Sequence, residues 1–319
     1  MMWLPAFILD PLIRRKMRLA ETPLDRFRVR IARTTAEYQD AFRLLHVAYV
    51  FQGIESIGDH EMRITPQHVL PESTVFVAYE GKKIVGTMTV TLDSPSGLPL
   101  DKDYPEHLAA LRQKGARLVE FGSLAVVQRC WHSGVTNLLN IAAHQWSRNV
   151  CHATHCVVGT HPRAHPVYRA AYAFRRLGRA RLHAELNAPV LGMVYNLKKT
   201  ERHIARHYKK LMGSGLRPIE HFRGAALACI EIPTHMASHE LARWKMPRDV
   251  FQELFFKRSS RMSSLDPATR RYLTELRSRQ TLELDRSTGS EARAIASTMA
   301  AVGPVFADSP GLRLLPIVG

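Results

Sequence analysis

The stretch from Arg117 to Leu139, RLVEFGSLAVVQRCWHSGVTNLL, limits what this chain can become. An apolar run of strand character carries one acidic residue, Glu120, and passes through a loop containing Arg, His, Ser and Gly into a helical apolar pattern. A strand that turns directly into a helix leaves the first N–H groups of that helix unpaired. With the helix dipole behind them, those groups suit an anion. A carboxylate just upstream is placed to handle protons. The stretch reads as a reaction centre.

The flanking segments supply a sheet for it. From Phe27, FRVRIARTT alternates as a half-buried strand does, and Thr34 and Thr35 then cap a helix through Ala36, Tyr38, Phe42, Leu45 and Tyr49. STVFVAYEGKKIVGTMTVTLD reads as a hairpin turning at Glu80-Gly81-Lys82. A Pro/Gly loop, SPSGLPLDKDYPEH, leads into a short helix carrying Leu108 and Leu111 that closes at Lys114-Gly115. The helix after the central strand runs to about Trp146. A strand over Cys156 to Gly159, a helix over Pro166 to Leu177 and a strand over Ala188 to Leu197 complete the pattern. This order predicts an α/β (α+β) domain with a mixed, mostly antiparallel sheet flanked by helices. No dinucleotide glycine fingerprint, Walker loop or internal repeat is visible.

Three regions are expected: an N-terminal amphipathic segment over 1–23, the sheet domain over 24–199, and a mainly helical extension over 200–319. The extension shows helical patterns around Pro247 to Lys257, Asp266 to Leu284 and Ser290 to Gly303. MMWLPAFILDPLIRRKM at the start is too short to span a bilayer and has no signal-peptide character. It fits an anionic membrane face, or a helix packed on its own domain or on a partner subunit.

Lys and Arg number 45 against 28 Asp and Glu, a net charge of +17 that points to an anionic partner. Nucleic acid is disfavoured: no RNP-type aromatic motif or Cys/His finger appears, and the basic residues are scattered. Cys130, Cys151, Cys156 and Cys229 are irregularly spaced and fit a reducing cytoplasm better than a disulfide framework. CHATHC at Cys151 to Cys156 crowds its Cys and His too closely for one tetrahedral metal, and CVVGT reads as a buried strand, so no metal is expected.

The element order, with an anion loop at its centre, resembles the GNAT acyltransferase fold. A narrower resemblance is to bacterial long-chain N-acyl amino acid synthases of the FeeM type, relatives of acyl-homoserine lactone synthases. It lies in Gly86-Thr87, the D-S-x-x-G-L-P-x-D loop from Asp93 to Asp101, the L-R-x-x-G turn from Leu111 to Gly115, and E-x-x-x-L-A-V from Glu120 to Val126. HPRAHPVYRAAYAF continues it, with Ala173-Phe174 where Gly-Phe is usual; in all it spans roughly Arg30 to Leu197. A GNAT cofactor loop reads Q/R-x-x-G-x-G/A, and here His132 stands at the inner glycine between Arg129 and Gly134. A side chain there narrows the cradle for a pyrophosphate.

The resemblance implies an N-acyltransferase that joins a long-chain fatty acyl group to the amine of an amino acid or similar small amine. The donor it favours is a phosphopantetheine thioester on acyl carrier protein, acyl-CoA being less suited to the narrowed loop. An acidic carrier protein also matches the charge of +17. Glu120 is then the general base, the other reading being a strand-end Glu paired with Arg117 or Arg129. Backbone N–H groups of Leu124, Ala125 and Val126 would stabilise the oxyanion. Arg129, His132, Ser133 and Gly134 would bind the pantetheine phosphate. Tyr168 would protonate the leaving thiolate or else pack as a core aromatic. Arg163 and His165 would take the acceptor's carboxylate or be plain exposed basic residues.

The implied site is cytoplasmic, with possible peripheral contact at the inner membrane face and possible homo-oligomers. Three other readings stay open: an acetyl-CoA-dependent GNAT enzyme, an acyl-homoserine lactone synthase using S-adenosylmethionine, and a non-catalytic acyl-binding protein.

Overall fold

A computed structural model describes residues 5–16, 26–53, 61–131, 133–184, 186–208, 229–236, 246–247, 250 and 271. The chain forms two compact units, Met1–Leu265 and Asp266–Gly319, and the sheet with its helices belongs to the first. The expected helices of the extension fall almost wholly outside the described residues. The boundary expected near Lys199 lies inside a helix, Leu197–Tyr208.

In chain order the elements are α1 (Ala6–Lys16), β1 (Phe27–Ile31), α2 (Thr35–Phe51), β2 (Ser73–Glu80), β3 (Lys83–Leu92), α3 (Pro105–Gln113), β4 (Leu118–Val126) and α4 (Val135–Gln145). β5 (His155–Thr160), α5 (His165–Tyr172), β6 (Arg175–Arg176), β7 (Arg181–His183), β8 (Ala188–Asn196), α6 (Leu197–Tyr208) and β9 (Ile230–Glu231) follow. The strands lie in the order β6-β8-β5-β4-β3-β2-β1-β9, with β7 also on β8. All pairings are antiparallel except β4 with β5 and β1 with β9, which gives the mixed, mostly antiparallel sheet that the alternating segments predict.

Local chemistry explains the helices nearest the site. Thr34, not Thr35, caps α2: its Oγ1 accepts from the Glu37 N–H at 3.3 Å while Glu37 Oε2 accepts from the Thr34 N–H at 2.9 Å. Tyr38, Ala41, Phe42 and Leu45 then recur on one buried face. α4 starts at Gly134, whose φ of 90° lies in the left-handed region that glycine adopts without strain. Its buried stripe of Val135, Leu138, Leu139 and Ala142 joins Phe76, Val90, Val119 and Phe121 of the sheet in the larger core.

The opposite face carries a smaller core of Leu98, Leu100, Tyr104, Leu108, Leu118, Val157, Val190 and Val194, so α3 and its leading loop cover that side. The helix after β5 ends at Tyr172, short of the expected Leu177, because Ala173 turns into the left-handed region at φ 60° and the chain continues into β6. α1 packs on α5, tied by paired hydrogen bonds from Arg169 to Asp10. No described helix is long and apolar enough to cross a membrane.

Candidate active site

β4 is a full member of the ladder on its β3 side and only a partial one on its β5 side. It pairs with β5 through Leu118, Val119 and Glu120, and beyond Glu120 the two strands part. On the other side its register to β3 slips between Thr87 and Thr89, which places an extra residue at Ser123-Leu124. Ser123 has φ 49°, the left-handed turn of a bulge that bends the strand. His68 braces this turn: the Thr65 N–H donates to its Nδ1 at 3.1 Å, so Nε2 carries the proton toward Ser123 Oγ at 3.0 Å.

Glu120 sits where the two strands separate. It is 7% exposed, and its Oε2 accepts the Leu100 N–H at 2.8 Å. Burial pushes its carboxyl up to about 8; the Leu100 N–H works against that, and the charges of Asp101 and Asp103 add to it. Neither Arg117 nor Arg129 takes it as a partner: Arg117 donates to the His152 carbonyl and Arg129 pairs with Glu80 at 3.1 Å.

The loop that roofs Glu120 is the D-S-x-x-G-L-P-x-D segment. Arg112 donates from Nε and Nη2 to Asp93 at 2.7 and 2.8 Å, and from Nη1 and Nη2 to Asp101 at 2.7 and 2.6 Å. Asp101 Oδ2 also accepts the Leu98 N–H at 2.7 Å, and Gly97 turns beneath it at φ 74°. The two sequence motifs around Asp93 and Arg112 thus form one clamp that holds the Leu100 N–H over the carboxylate.

The backbone groups at the bend divide by direction. Val127 N–H donates to the Val85 carbonyl at 2.9 Å and Ala125 stands opposite Thr87, so the two-residue alternation gives Ala125's N–H to β3. The same alternation turns Val126's N–H to the open side, while Leu124 lies in the bulge.

In the loop that follows, Ser133 is turned inward, with its Oγ donating to the Cys130 carbonyl at 2.6 Å and its N–H to the same oxygen at 3.2 Å. Gly134 opens α4. Arg129 is 53% exposed and shares Glu80 with Arg26. His132 lies outside the described residues. Glu80, on the hairpin, is a partner of this loop that the sequence pattern did not single out.

Across the opening, Tyr168 of α5 packs against the main core, with Phe174 edge-on at 5.3 Å. Burial pushes its hydroxyl up to about 12; Cys156 and Tyr49 add to this and a hydrogen bond with Thr160, at the end of β5, opposes it. Tyr49 belongs to α2, so elements from two parts of the chain meet near the Tyr168 hydroxyl. Arg163 and His165 face different surroundings. Arg163 is exposed on a short turn, whereas His165 is buried with Arg176 Nη2 at 3.3 Å from its Nδ1. Burial, Arg176 and Arg169 hold the His165 imidazole below its usual range. The CHATHC residues separate as well, Cys156 facing the core and His155 lying between Thr154 and Asn196.

Residues 40–196 match the family model described as N-acyl amino acid synthase FeeM. No curated protein matches the chain in sequence. Among solved structures, FeeM, an N-acyl amino acid synthase from uncultured soil microbes, is similar at 22% identity over 56% of this chain and 94% of its own, with a TM-score of 0.49. BjaI, a CoA-dependent acyl-homoserine lactone synthase solved with SAM and isopentyl-CoA, is similar at 13% identity over 69% of this chain and 90% of its own, with a TM-score of 0.44. A GNAT-family acetyltransferase from Streptococcus pneumoniae is similar at 16% identity over 53% of this chain and 98% of its own, with a TM-score of 0.36. Over residues 40–196, just under half of its length, the chain is thus similar to the FeeM N-acyl amino acid synthase family.

Proposed function

We propose that this chain transfers a long-chain fatty acyl group from acyl carrier protein thioester to the amine of an amino acid or similar small amine, giving an N-acyl amino acid. The observation that carries the reading is a buried carboxylate, Glu120, at the point where β4 and β5 part within the family-matched segment. A thioester lying in that opening has the Val126 N–H on its open side for the developing oxyanion. Glu120 takes a proton from the acceptor's ammonium, directly or through water. A carboxyl near 8 and an amine of similar pKa exchange a proton at little cost. Leu124 and Ala125 shape the same bend.

As the tetrahedral intermediate collapses, the C–S bond breaks, the new amide keeps the acyl carbon, Tyr168 protonates the departing thiolate, and the second proton lost by the amine nitrogen restores Tyr168 through water. We assign Arg129, Ser133 and Gly134 to the pantetheine phosphate, with His132 added from its place in the sequence alone, and Arg163 and His165 to the acceptor. Two features favour a carrier-protein donor over acyl-CoA. Glu80 already neutralises part of Arg129, and Ser133 is committed to Cys130, so the loop holds little for a pyrophosphate. The net charge of +17 suits an acidic carrier surface. Our reading places the protein in the cytoplasm with peripheral membrane contact; the contact is supported by α1, which exposes Phe7, Ile8 and Leu12 just ahead in sequence of Arg14, Arg15 and Lys16.

The test supplies the full chain with palmitoyl acyl carrier protein and a mixture of the twenty amino acids, with mass spectrometry of the products. An N-palmitoyl amino acid is expected. Intact thioester with no product refutes the reaction, and product formed from palmitoyl-CoA but not from the carrier refutes the donor.

A further inference from the structure

Thr87, Thr89 and Thr91 alternate along β3 and share one face of the sheet. Two of them are satisfied. Thr87 Oγ1 donates to the Phe76 carbonyl at 3.0 Å, and Thr91 Oγ1 lies 3.0 Å from Ser73 Oγ. Thr89 is 2% exposed, and its Oγ1 has no hydrogen-bond partner among the described residues. A buried hydroxyl left in that state is a cost to the fold that a hydrogen-bonding ligand would relieve.

The register places Gly122 opposite Thr89 and Glu120 opposite Thr91. Gly122 and Glu120, two residues apart, present the same face as the threonines. A Cβ on Gly122 would meet no atom within 4 Å among the described residues, which leave open space there, between the Glu120 carboxylate and the Ser123 bend. An unpaired hydroxyl on β3 and room for a methyl-sized group over Gly122 of β4 thus lie beside the Glu120 carboxylate in the register.

We propose that Thr89 and the space over Gly122 form the subsite for the amine end of the acceptor, Thr89 Oγ1 accepting a hydrogen bond from the amine N–H. That contact turns the nitrogen lone pair toward the thioester carbon in the β4 opening while Glu120 takes the proton. Thr89 is a substrate-positioning residue, and Gly122 is glycine because any side chain fills the place the amine needs.

The inference rests on the acyl-transfer reading, and its test keeps the two apart. The full chain and its Thr89→Val, Thr89→Ser and Gly122→Ala variants are titrated with N-palmitoylglycine by calorimetry. Their half-saturating concentrations are measured with palmitoyl acyl carrier protein and the amino acid mixture. Thr89→Val is expected to weaken both about fivefold, Gly122→Ala about tenfold, and Thr89→Ser to keep wild-type values. The melting temperature of Thr89→Val should equal or exceed that of the wild type, since the hydroxyl has no partner among the described residues. Wild-type binding and saturation in Thr89→Val and Gly122→Ala overturn the proposal, as does a stability loss in Thr89→Val that Ser restores without any change in binding. Thr89-dependent binding of N-palmitoylglycine without turnover refutes acyl transfer alone and leaves the subsite standing. A wild type that neither binds nor turns over refutes both.

Discussion

Replacing Glu120 with Gln separates the proposed base from a merely structural carboxylate, because the two make opposite predictions about stability. In the folded chain the carboxyl titrates near 8, raised from an ordinary value of 4.5 mainly by burial. Below 4.5 it is neutral in both folded and unfolded chains and carries no pH-dependent penalty. Between 4.5 and about 8 the unfolded chain is ionised and the folded one still protonated, so stability falls as pH rises through this window. The slope approaches about 1.4 kcal/mol per pH unit, which accumulates to roughly 3–5 kcal/mol by pH 9. Gln is nearly isosteric with the protonated acid and keeps an acceptor for the Leu100 N–H. The variant should therefore match the wild type in stability at pH 5 and exceed it at pH 9. Its turnover should fall by about a hundredfold or more, and wild-type turnover should rise with pH up to about 8. Urea denaturation at pH 5, 7 and 9 reads the stability difference. A Glu120→Gln variant that loses stability equally at all three values, or that keeps wild-type turnover, refutes the assignment.

Three further outcomes follow from the same geometry. Arg112→Met leaves Asp93 and Asp101 facing each other without their cation; with all three groups partly solvated the loss is about 2–3 kcal/mol, read as a melting point lowered by roughly 5–10 °C, and a loss under about 0.5 kcal/mol counts against the clamp. Glu80→Gln releases Arg129 and should tighten binding of free coenzyme A several-fold at low salt, an effect that fades as salt is raised; unchanged affinity in calorimetry means that Arg129 does not face the anion. Ala173→Gly removes a Cβ from a residue at φ 60° and should raise stability in chemical denaturation by about 0.5–1 kcal/mol; a loss shows that the Ala173 methyl packs usefully.

The ladder was legible because its segments alternate: the β2–β3 hairpin, the central strand, and the helices begun by Thr34 and Gly134 all announce themselves locally. What escaped depends on partners far apart in the chain. Nothing near Glu80 signals that it will meet Arg129, and nothing near His68 signals Ser123. The bend itself lies one residue past the glycine in this strand, on a serine in the left-handed region, so composition points to Gly122 when the turn is at Ser123. β6 and β7, two and three residues long, are too short to show a period. The motifs around Asp93, Asp101 and Arg112 were visible as a pattern, but their meaning as an ion clamp over Glu120 appears only once the loop closes.

The opening at the site is a consequence of where the bulge sits. Had β4 stayed regular past Glu120, its β5-facing N–H and C=O groups would have continued the parallel pairing, and the strands would have been closed to the proposed acyl group. The left-handed Ser123 prevents this at a cost on the order of 1 kcal/mol. The His68 Nε2–H contact, held by Thr65 and set against Phe42 at 4.8 Å between ring centroids, helps to offset that cost. The last paired residue is therefore also the last one held rigidly on both sides. Glu120 occupies that position: the Leu100 N–H of the clamped loop fixes its carboxylate, and the backbone immediately beyond it is free of the β5 ladder. A proton acceptor fixed beside an unfilled edge is pre-organised for a substrate that supplies the missing contacts.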